Sequence, residues 1–426
     1  MGREALFSWH ERVGAFERLM PPWERVRIVD SGKGLMEGSR VVLDMNLGPW
    51  TQPWILEHGE YKRGFLFSDH LVKGPFAEWS HRHRFRDAEN GMSELEDAIE
   101  YVPIHPWVGL CAGRFIRARI ERGFRYRHEI LLQDCARYGA ELKEPLKILV
   151  TGGTGFIGQA LIPLLKTQGH AVYVLSRKAG DGRIVWNPAR GELDGDTLEG
   201  FDAVVHLAGE GIMGRWTEAK KQRIYESRVG GTRLLCEALA KLKNKPRVLV
   251  SVSGVSACRD DGFLSQVGRA WEATADPARK AGIRVVHPRV SVVLSPAGGA
   301  LKTMLLPFRL GLGGRAGRGD QRMSWVTIDD LVDILYASII DDRFEGPCIV
   351  SAPEVVDNRA FTEALACRLN RPACLPVPAK VLETMLGDVA RDTVLADVDE
   401  PPKKLIELGH RFRYPKLAQA LDHLLP

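Results

Sequence analysis

The sequence predicts two folded modules in series: an α+β module, then an α/β module with a doubly wound parallel sheet and a small C-terminal lobe. Three observations favour this class. Short segments with period-two alternation precede one long helical segment in the first third of the chain. Strand and helix patterns then alternate, starting with a glycine-rich turn between a short apolar strand and a helix. Finally, the 426 residues exceed what one core of usual size needs.

The first module is expected within residues 1–140. Its predicted strands are 40–47, 54–61, 65–71, 76–85 and 93–101. From residue 107 to 137 the pattern changes to a helix whose apolar residues share one face. A curved antiparallel sheet wrapped around this helix would bury both apolar faces.

The second module is expected at 146–347, after a polar stretch at 138–145 that is typical of an interdomain linker. Strand 147–150, helix 156–168 and strand 171–175 form a βαβ unit, which predicts a parallel sheet. Further candidates continue the alternation at 203–207, 218–242, 247–253, 263–281, 283–290 and 329–340. The proline-rich segment 348–426 is expected to form a small substrate lobe.

A glycine-rich turn, Thr151-Gly-Gly-Thr-Gly-Phe-Ile-Gly158, joins the first strand of this module to its helix. Gly152 permits a tight turn, Gly155 lets backbone approach a pyrophosphate, and Gly158 allows close packing of helix on strand. The helix N-terminus adds amide donors and positive potential. This context predicts a Rossmann-type dinucleotide site; the alternative is a merely structural turn. The expected contacts here are Gly152, Thr154, Gly155, Phe156, Ile157 and Gly158.

The end of the second strand favours one nucleotide over the other. An acidic residue there would accept the ribose hydroxyls of NAD and repel a 2′-phosphate. This chain instead has Ser176-Arg177-Lys178, a hydroxyl and two cations that suit a phosphate dianion. We therefore predict NADP(H) as cofactor, with Ser176 and Arg177 as contacts. The alternative is a solvated loop with two surface charges.

The second module resembles a known family. The glycine loop, His206-Leu-Ala-Gly209 and Val229-x-x-Thr232 resemble an extended short-chain dehydrogenase/reductase. Further motifs resemble its atypical "NAD-dependent epimerase family" subgroup, which is related to plastid proteins once called cell-division inhibitors. These motifs are Gly209-Glu210, Arg215-Trp-Thr-Glu218, Ser227-Arg228, Pro307-Phe-Arg-Leu-Gly-Leu-Gly-Gly314, Met323-Ser-Trp-Val-Thr-Ile-Asp-Asp330 and Arg411-Phe-Arg-Tyr-Pro415. The resemblance runs from Leu146 to the C-terminus, where the tail is similar to a small domain of unknown function. It implies further cofactor contacts at Leu207, Ala208, Gly209 and Pro288.

The first module is similar to the START-like (SRPBCC) helix-grip ligand-binding domains over residues 5–137. The motifs are Trp9-His-Glu-Arg12, Phe16-Glu-Arg-Leu19, Pro21-Pro-Trp23, Trp79-x-His81-x-His83-x-Phe85 and Tyr126-Arg-His128. This resemblance implies a hydrophobic ligand. In such domains a strand normally precedes the region equivalent to Trp9. Only eight residues precede Trp9, so we expect that strand to be short or missing.

Short-chain dehydrogenases usually supply the proton from a Tyr followed four residues later by Lys, which lowers the phenol pKa. None of the eight Tyr residues has that Lys, and the equivalent positions fall on Leu264 and Gly268. The subgroup that the chain resembles generally lacks this pair. Ser253 is the candidate catalytic residue, as a hydroxyl that could hydrogen-bond a substrate carbonyl; a Ser that ends a strand is the alternative. We predict an oxidoreductase or epimerase acting on an unidentified small molecule, with a non-catalytic NADP(H) and ligand sensor as the alternative.

Other polar groups carry weaker predictions. His81 and His83 alternate with Trp79 and Phe85 on one strand face, which favours a ligand cavity or a packed polar face. Two His could share a metal, but no third ligand is identifiable, so no metal is predicted. The long helix carries a set of arginines that either bind phosphate or a membrane surface or form a solvated face. They are Arg114, Arg117, Arg119, Arg122, Arg125 and Arg127. Arg315 and Arg318, in a glycine-rich loop, are either anion contacts or surface charges.

The composition of the chain indicates its cellular compartment and argues against other classes of protein. Apolar residues make up 45% and charged residues 27%, as in ordinary folded proteins. A net charge of +5 is too small to argue for nucleic acid. Seven scattered Cys with no C-x-x-C pair suit reduced thiols, and the N-terminal segment has no continuous apolar stretch. We expect a cytoplasmic protein without integral membrane association.

Overall fold

The structure is a computed structural model that describes residues 1–24, 26–47, 50–139, 144–180 and 182–426, without the side chains of 47, 50 and 106–111. The chain divides into two compact units. The first is Met1–Lys143 with Lys166–Gly169 and Pro426, and the second is Glu144–Leu165 with His170–Leu425. In the described part of the chain, every helix is too short or too polar to cross a membrane.

The first unit contains two short helices, an antiparallel sheet and one long helix. Its elements are α1 (Arg3–His10), α2 (Ala15–Arg18), β1 (Val26–Asp30), β2 (Arg40–Leu47), β3 (Trp50–Lys62), β4 (Leu66–Lys73), β5 (Phe76–Asp87), β6 (Ser93–Pro103) and α3 (Pro106–Tyr138). The six strands described here pair in chain order, each antiparallel to the next. The five predicted strands correspond to β2–β6, and the predicted helix corresponds to α3.

The core of the first unit joins one face of this sheet to the helices. Phe67 of β4 and Phe85 of β5 pack with Phe7 of α1 and Ile130 of α3. Along β5, buried residues alternate with more exposed ones, and the buried set is Trp79, His81, His83 and Phe85. The predicted grouping of these four side chains on one face is therefore correct.

One strand of the first unit was not anticipated, whereas the absence of a strand before Trp9 agrees with the prediction. Strand β1 was missed because it has five residues at the sheet edge, none of them fully buried, and so a weak alternation signal. Trp9 lies on α1, and the described residues before it form no strand.

The second unit alternates strands and helices. In chain order it contains β7 (Lys147–Thr151), α4 (Phe156–Thr167), β8 (Ala171–Ser176), β9 (Arg183–Asn187), β10 (Glu192–Leu193), β11 (Ala203–His206), α5 (Glu218–Lys241), β12 (Val248–Ser251), β13 (Ser253–Gly254), α6 (Phe263–Ala273), α7 (Asp276–Lys280), β14 (Arg284–Val290), β15 (Val292–Leu294), α8 (Gly299–Arg309), β16 (Arg322–Met323), β17 (Trp325–Thr327), α9 (Ile328–Ile340), β18 (Gly346–Val350), β19 (Val356–Asp357), α10 (Asn358–Leu369), α11 (Ala379–Leu386), α12 (Lys403–Glu407) and α13 (Leu417–Leu424).

The main sheet of this unit is parallel, as predicted, apart from a short edge strand. Its order over the described strands is β10-β9-β8-β7-β11-β12-β14-β13, with β18 also paired to β14. Only β10 runs antiparallel to its neighbour. The chain first builds outward from β7 through β8 to β9 and then restarts on the other side of β7 with β11. The boundary between the paired strands β7 and β11 is therefore a topological switch point. Doubly wound sheets bind ligands at such a point, at the carboxyl ends of the strands.

One predicted helix is divided in the structure. The segment 263–281 forms α6 and α7 rather than a single helix. Pro277 lies in the first turn of α7 and has no backbone N–H to donate to Ala273 O, so the helix is interrupted at 274–275.

The predicted C-terminal lobe, 348–426, begins within β18 of the main sheet and, apart from Pro426, belongs to the same compact unit, and part of it packs against the loops that follow the sheet. Trp216 and Val389 are buried in one apolar cluster with Phe263 at the start of α6. The Asp392 carboxylate accepts a hydrogen bond from the backbone N–H of Leu264 at 3.1 Å. The lobe is therefore tied to the first turn of α6, next to the carboxyl ends of the strands.

Candidate functional site

The candidate site is the edge formed by the carboxyl ends of the central parallel strands. Thr151 of β7 pairs in register with His206 of β11, and His206 pairs with Ser251 of β12. On the other side, Thr151 pairs with Leu175, next to Ser176 at the end of β8. These strand ends are level, so the loops after them leave the sheet side by side.

The glycine loop closely approaches the loop after β11. Gly152 has φ of +68°, a backbone conformation that favours glycine. A Cβ at this position would lie 2.8 Å from the carbonyl carbon of Leu207 and 2.9 Å from the amide nitrogen of Ala208. The predicted cofactor residues of the two loops are therefore brought into direct contact, and only glycine fits at Gly152.

The other glycines of the loop differ in their surroundings. A Cβ at Gly158 would lie 2.6 Å from both Gly152 O and Gly153 Cα, so Gly158 packs on the loop itself rather than on the strand as predicted. Gly155 is exposed, and its N–H bonds to Gly152 O at 2.9 Å. Gly155 and the exposed Thr154 thus present backbone at the N-terminus of α4. Phe156 and Ile157 begin that helix and are half-buried.

The hydroxyl of Thr151 connects the two loops. It accepts hydrogen bonds from the backbone N–H groups of Leu207 at 3.1 Å and Ala208 at 3.0 Å. Its own proton then points to His206 Nδ1, 2.7 Å away. One buried hydroxyl therefore fixes where the chain turns after β11.

His206 extends this network into the helical layer. Its Nε2 lies 2.9 Å from the hydroxyl oxygen of Thr232 on α5, which also accepts the indole N–H of Trp271 at 2.8 Å. Burial lowers the pKa of His206 to about 4, and the nearby charge of Arg228 acts in the same direction. His206 is therefore neutral at physiological pH, with its proton on Nε2, and it has a structural role.

The predicted phosphate contacts lie at the end of β8. Ser176 is half-buried, and its hydroxyl accepts a hydrogen bond from the backbone N–H of Lys178 at 3.2 Å. Arg177 and Lys178 are exposed, and no ion pair involving them is found among the described residues. Both cations are thus accessible to a ligand phosphate.

Arg228 is a site residue whose role the sequence did not predict, although it lies in a motif of the resemblance. Its Nη1 donates to Glu210 O at 2.9 Å, and its guanidinium carbon lies 5.2 Å from the centre of the Trp271 ring. A Cβ at Gly209 would lie 3.3 Å from the same carbon. Burial lowers the pKa of Arg228 to about 10, so the group remains cationic behind the 207–209 loop.

Ser253 is on β13 and faces a polar cluster. Its hydroxyl is buried and lies near the Glu272 carboxylate without the geometry of a hydrogen bond, and no other partner is found among the described residues. Glu272 pairs with Arg289 through two contacts of 2.8 Å, and Arg289 also donates to Cys258 Sγ at 3.4 Å. Burial opposes ionisation of Glu272, but the hydrogen bonds from Arg289 hold its pKa below the usual range. The Glu272 carboxylate is therefore ionised, and both of its oxygens accept hydrogen bonds from Arg289.

The positions expected for a Tyr–Lys pair have structural roles. Leu264 packs in the apolar cluster under the C-terminal lobe. A Cβ at Gly268 would lie 2.8 Å from the Cβ of Ala257, which leaves no room for a longer side chain. Two further buried hydroxyls, Ser251 and Ser291, have no hydrogen-bond partner in the described part of the chain. The carboxyl ends of β12 and β14 thus offer serine hydroxyls in place of the usual phenol and amine.

The remaining predicted residues are placed as follows. Pro288 is buried in β14, one residue beyond His287, whose Nδ1 lies 3.2 Å from Ser251 O. Arg315 and Arg318 are both exposed, and Arg318 pairs with Asp320 at 3.2 Å. On the long helix, Arg117 pairs with Glu121 and Arg119 with Glu24, whereas Arg122 and Arg127 are half-buried, so a solvated face accounts for only part of the set.

Comparisons with known proteins identify relatives of the second unit. The NAD dependent epimerase/dehydratase family model matches residues 148–261, and a domain of unknown function (DUF1731) matches residues 377–424. Epimerase family protein YfhF of Bacillus subtilis is 35% identical over 300 residues, which cover 66% of this chain and 98% of YfhF. Human epimerase family protein SDR39U1 is 36% identical over 299 residues, 66% of this chain and 100% of the human protein. The predicted resemblance of this region is confirmed.

Two solved structures extend the comparison. The nucleoside-diphosphate sugar epimerase of Corynebacterium glutamicum superposes with a TM-score of 0.82 at 30% identity, covering 100% of this chain and 88% of that one. Human SDR39U1 (isoform 2), solved with NADPH, superposes with a TM-score of 0.59 at 34% identity, covering 66% of this chain and 99% of the human chain. The similarity to the Corynebacterium structure therefore includes residues of both units.

The Thr151 network yields a test. Thr151→Val preserves shape but removes the acceptor of the Ala208 amide, one of the two acceptors of the Leu207 amide, and the donor to His206. With each neutral hydrogen bond worth about 1 kcal/mol, we expect NADPH affinity to fall about tenfold, measured by calorimetric titration. The control is Thr303→Val, an exposed hydroxyl that bonds only to Gly299 O of its own helix. Unchanged affinity in a folded Thr151→Val protein would show that the loop does not depend on this hydroxyl.

Proposed function

The chain belongs to the NAD-dependent epimerase/dehydratase family, and on this premise we propose that it is an NADP(H)-dependent oxidoreductase or epimerase acting on a small molecule. The observation that carries the proposal is the contact of the glycine loop with residues 207–209 at the switch point, beside the N-terminus of α4. Backbone amides and helix potential there suit a pyrophosphate. The division into 1–140, 146–347 and 348–426, the cytoplasmic location and the absence of a nucleic-acid partner stay predictions.

The cofactor is NADP(H). The human relative, 34% identical over its structure, was solved with NADPH. In this chain the end of β8 has no acidic residue that would repel a 2′-phosphate, and it carries the exposed Arg177 and Lys178. Ser176 adds a hydroxyl beside them. The residues present therefore fit the phosphate that distinguishes NADP(H) from NAD(H).

Ser253 is the proposed catalytic residue. The nicotinamide, when bound, donates or accepts a hydride, and the substrate oxygen must then gain or lose a proton. The Ser253 hydroxyl is buried at the carboxyl edge near the Glu272 carboxylate and makes no hydrogen bond among the described residues, so it can hydrogen-bond that oxygen. Its role is to orient and polarise the substrate, because a serine hydroxyl is a weak acid. Slow turnover follows, since no Tyr–Lys pair provides general acid catalysis.

A non-catalytic sensor is the alternative function for the second unit. The observation in its favour is the packing of Gly268 against Ala257, which excludes a Lys at that position. A sensor would bind NADP(H) as tightly as an enzyme does but would not oxidise it. Turnover is therefore the measurement that separates the two functions.

The first unit is proposed to bind a hydrophobic ligand, in line with its START-like resemblance. The rings of Trp54, Phe76, Trp79 and Tyr101 form one cluster, with Trp54 and Trp79 edge-to-face at 5.2 Å. The indole N–H groups of Trp54 and Trp79 are buried, and neither has an acceptor among the described residues. Leaving a buried donor unpaired costs about 1–3 kcal/mol, which a ligand carbonyl or carboxylate would offset. This supports an amphipathic ligand with an acceptor at one end.

The nucleotide assignment is tested by Arg177→Ala. Loss of one charge-assisted hydrogen bond, about 1.5–3 kcal/mol, should weaken NADPH about 10- to 100-fold and leave NADH nearly unchanged. Gly155→Val should abolish both by blocking the pyrophosphate approach. Arg190→Ala, an exposed cation in the same unit, is the matched control. Calorimetric titration that finds equal wild-type affinities for NADH and NADPH would refute the role of Arg177.

The role of Ser253 is tested by NADPH oxidation with a reactive α-dicarbonyl as substrate. We expect slow turnover that Ser253→Ala lowers and Ser253→Thr retains, with NADPH affinity unchanged. Ser256→Ala, whose hydroxyl bonds to Leu264 O at 3.4 Å, is the control from the same segment. Rapid turnover that survives Ser253→Ala would place the active site elsewhere, and no turnover at all would favour the sensor.

The ligand site of the first unit is tested in the full chain with oleic acid, followed by Trp fluorescence. Trp79→Phe keeps an aromatic side chain, smaller than the indole, but removes the unpaired N–H, so affinity should fall about tenfold. Trp216→Phe, whose indole already donates to Ile212 O at 2.7 Å, should leave oleate affinity unchanged. Oleate that neither quenches fluorescence nor shifts the melting temperature of the wild type would contradict the proposal.

A further inference from the structure

A cluster of potential metal ligands lies on the buried face of the sheet in the first unit. Asp69, His81 and His83 each offer one ligand atom within 4.8 Å of the other two, and all three are buried. Asp69 of β4 lies directly opposite His81 of β5, and His83 follows two residues along the same strand. The period-two geometry of β5 thus brings both imidazoles to one face, and strand pairing adds the carboxylate.

Asp97 of β6 lies behind the two imidazoles. Its Oδ1 is 3.2 Å from His81 Nε2 and 2.5 Å from His83 Nδ1. His81 Nε2 meets Asp97 in the way that metal-binding histidines usually present their second ring nitrogen to a carboxylate, which fixes the ring and its tautomer. His83 Nδ1 is close to the same carboxylate without the geometry of a hydrogen bond, and His81 Nδ1 is left on the side of Asp69.

The spacing of the first two ligands suits a shared ion. His81 Nδ1 lies 3.2 Å from Asp69 Oδ2. Two ligands bonded to a tetrahedral zinc at about 2.0–2.1 Å are separated by about 3.3–3.4 Å. The His83 ring is stacked on Phe67 with centroids 4.0 Å apart, so its plane is held by the core.

An independent observation shows that the Asp69 carboxylate is incompletely satisfied. Asp69 is 8% exposed, and its Oδ1 is buried without a hydrogen-bond partner among the described residues. An ionised carboxylate left partly unpaired in an apolar core is costly. A cation bound in front of Asp69 and the two imidazoles would remove that cost.

We infer that Asp69, His81 and His83 bind a divalent first-row transition metal ion such as Zn²⁺, with Asp97 as the carboxylate that orients the His81 imidazole and Phe67 as the ring that holds His83. Two imidazoles and one carboxylate favour such ions over Mg²⁺ and Ca²⁺, which prefer oxygen ligands. Three protein ligands leave a fourth position for water or for an acceptor group of a bound molecule. The site is independent of the dinucleotide function proposed for the second unit.

A proton is the competing occupant. His81 as an imidazolium would donate to Asp69 Oδ2 and Asp97 Oδ1 at the same two distances of 3.2 Å. That arrangement would leave Asp69 Oδ1 without a partner among the described residues. The experiment must therefore distinguish a metal ion bound by three side chains from a protonated His81 with no metal ion bound.

The test uses tag-free, full-length protein stripped with chelator and titrated with Co²⁺ and Zn²⁺. We expect one ion per chain, visible Co²⁺ absorption typical of a low-coordinate site, and a Zn²⁺-dependent rise in melting temperature. Asp69→Asn and His83→Gln should each weaken Zn²⁺ by more than about 100-fold, and Asp97→Asn by about 10- to 100-fold. His70→Gln, an exposed neighbour on β4, is the matched control and should match the wild type.

Folding of the variants is checked by comparing melting temperatures without metal. A variant that melts near the metal-free wild type and no longer gains stability from Zn²⁺ supports the site even if its calorimetric signal is small. Wild-type protein that binds no stoichiometric Co²⁺ or Zn²⁺ would overturn the inference in favour of a protonated His81. Unchanged Zn²⁺ affinity in both Asp69→Asn and His83→Gln would overturn it as well.

Discussion

The dinucleotide site depends on how closely two loops approach each other at the switch point of the parallel sheet. The backbone of Gly152 is in contact with residues 207 and 208, and the Thr151 hydroxyl holds that contact through their two amides. His206 and Thr232 continue the same hydrogen-bond chain to Trp271 on α6. Since the network is buried, each unsatisfied member would be costly, so it specifies a single loop arrangement.

In the second unit, Leu264 and Gly268 occupy the positions where short-chain dehydrogenases usually have the Tyr and Lys of the proton donor. Close packing of Gly268 on Ala257 removes the space for a Lys, and Leu264 contributes to the apolar contact with the C-terminal lobe. Glu272 is held by Arg289 and is therefore a poor proton carrier at neutral pH. The role proposed for the Ser253 hydroxyl is accordingly to orient a substrate rather than to act as an acid.

The first unit concentrates polar groups where a small domain would normally bury only apolar ones. Asp69, His81, His83 and Asp97 share the core face with aromatic rings, and the indole donors of Trp54 and Trp79 lie buried without acceptors in the described chain. Apolar packing would be more stable on its own, because burying polar atoms opposes folding unless each finds a partner. A bound ion and a bound amphipathic molecule would each supply partners that the chain lacks.

The sequence by itself determined the features that depend on local periodicity. Alternation predicted β2–β6 and the shared face of Trp79, His81, His83 and Phe85, and the strand–glycine–helix order predicted the parallel sheet and its dinucleotide loop. It missed β1, which has no fully buried residue, and the break at 274–275 that divides α6 from α7. Only the tertiary structure decided which distant side chains meet: Thr151 with His206, Glu272 with Arg289, and Asp69 with His81. These contacts arise from strand register and helix packing, which bring together residues far apart in the chain and leave no short-range pattern in the sequence.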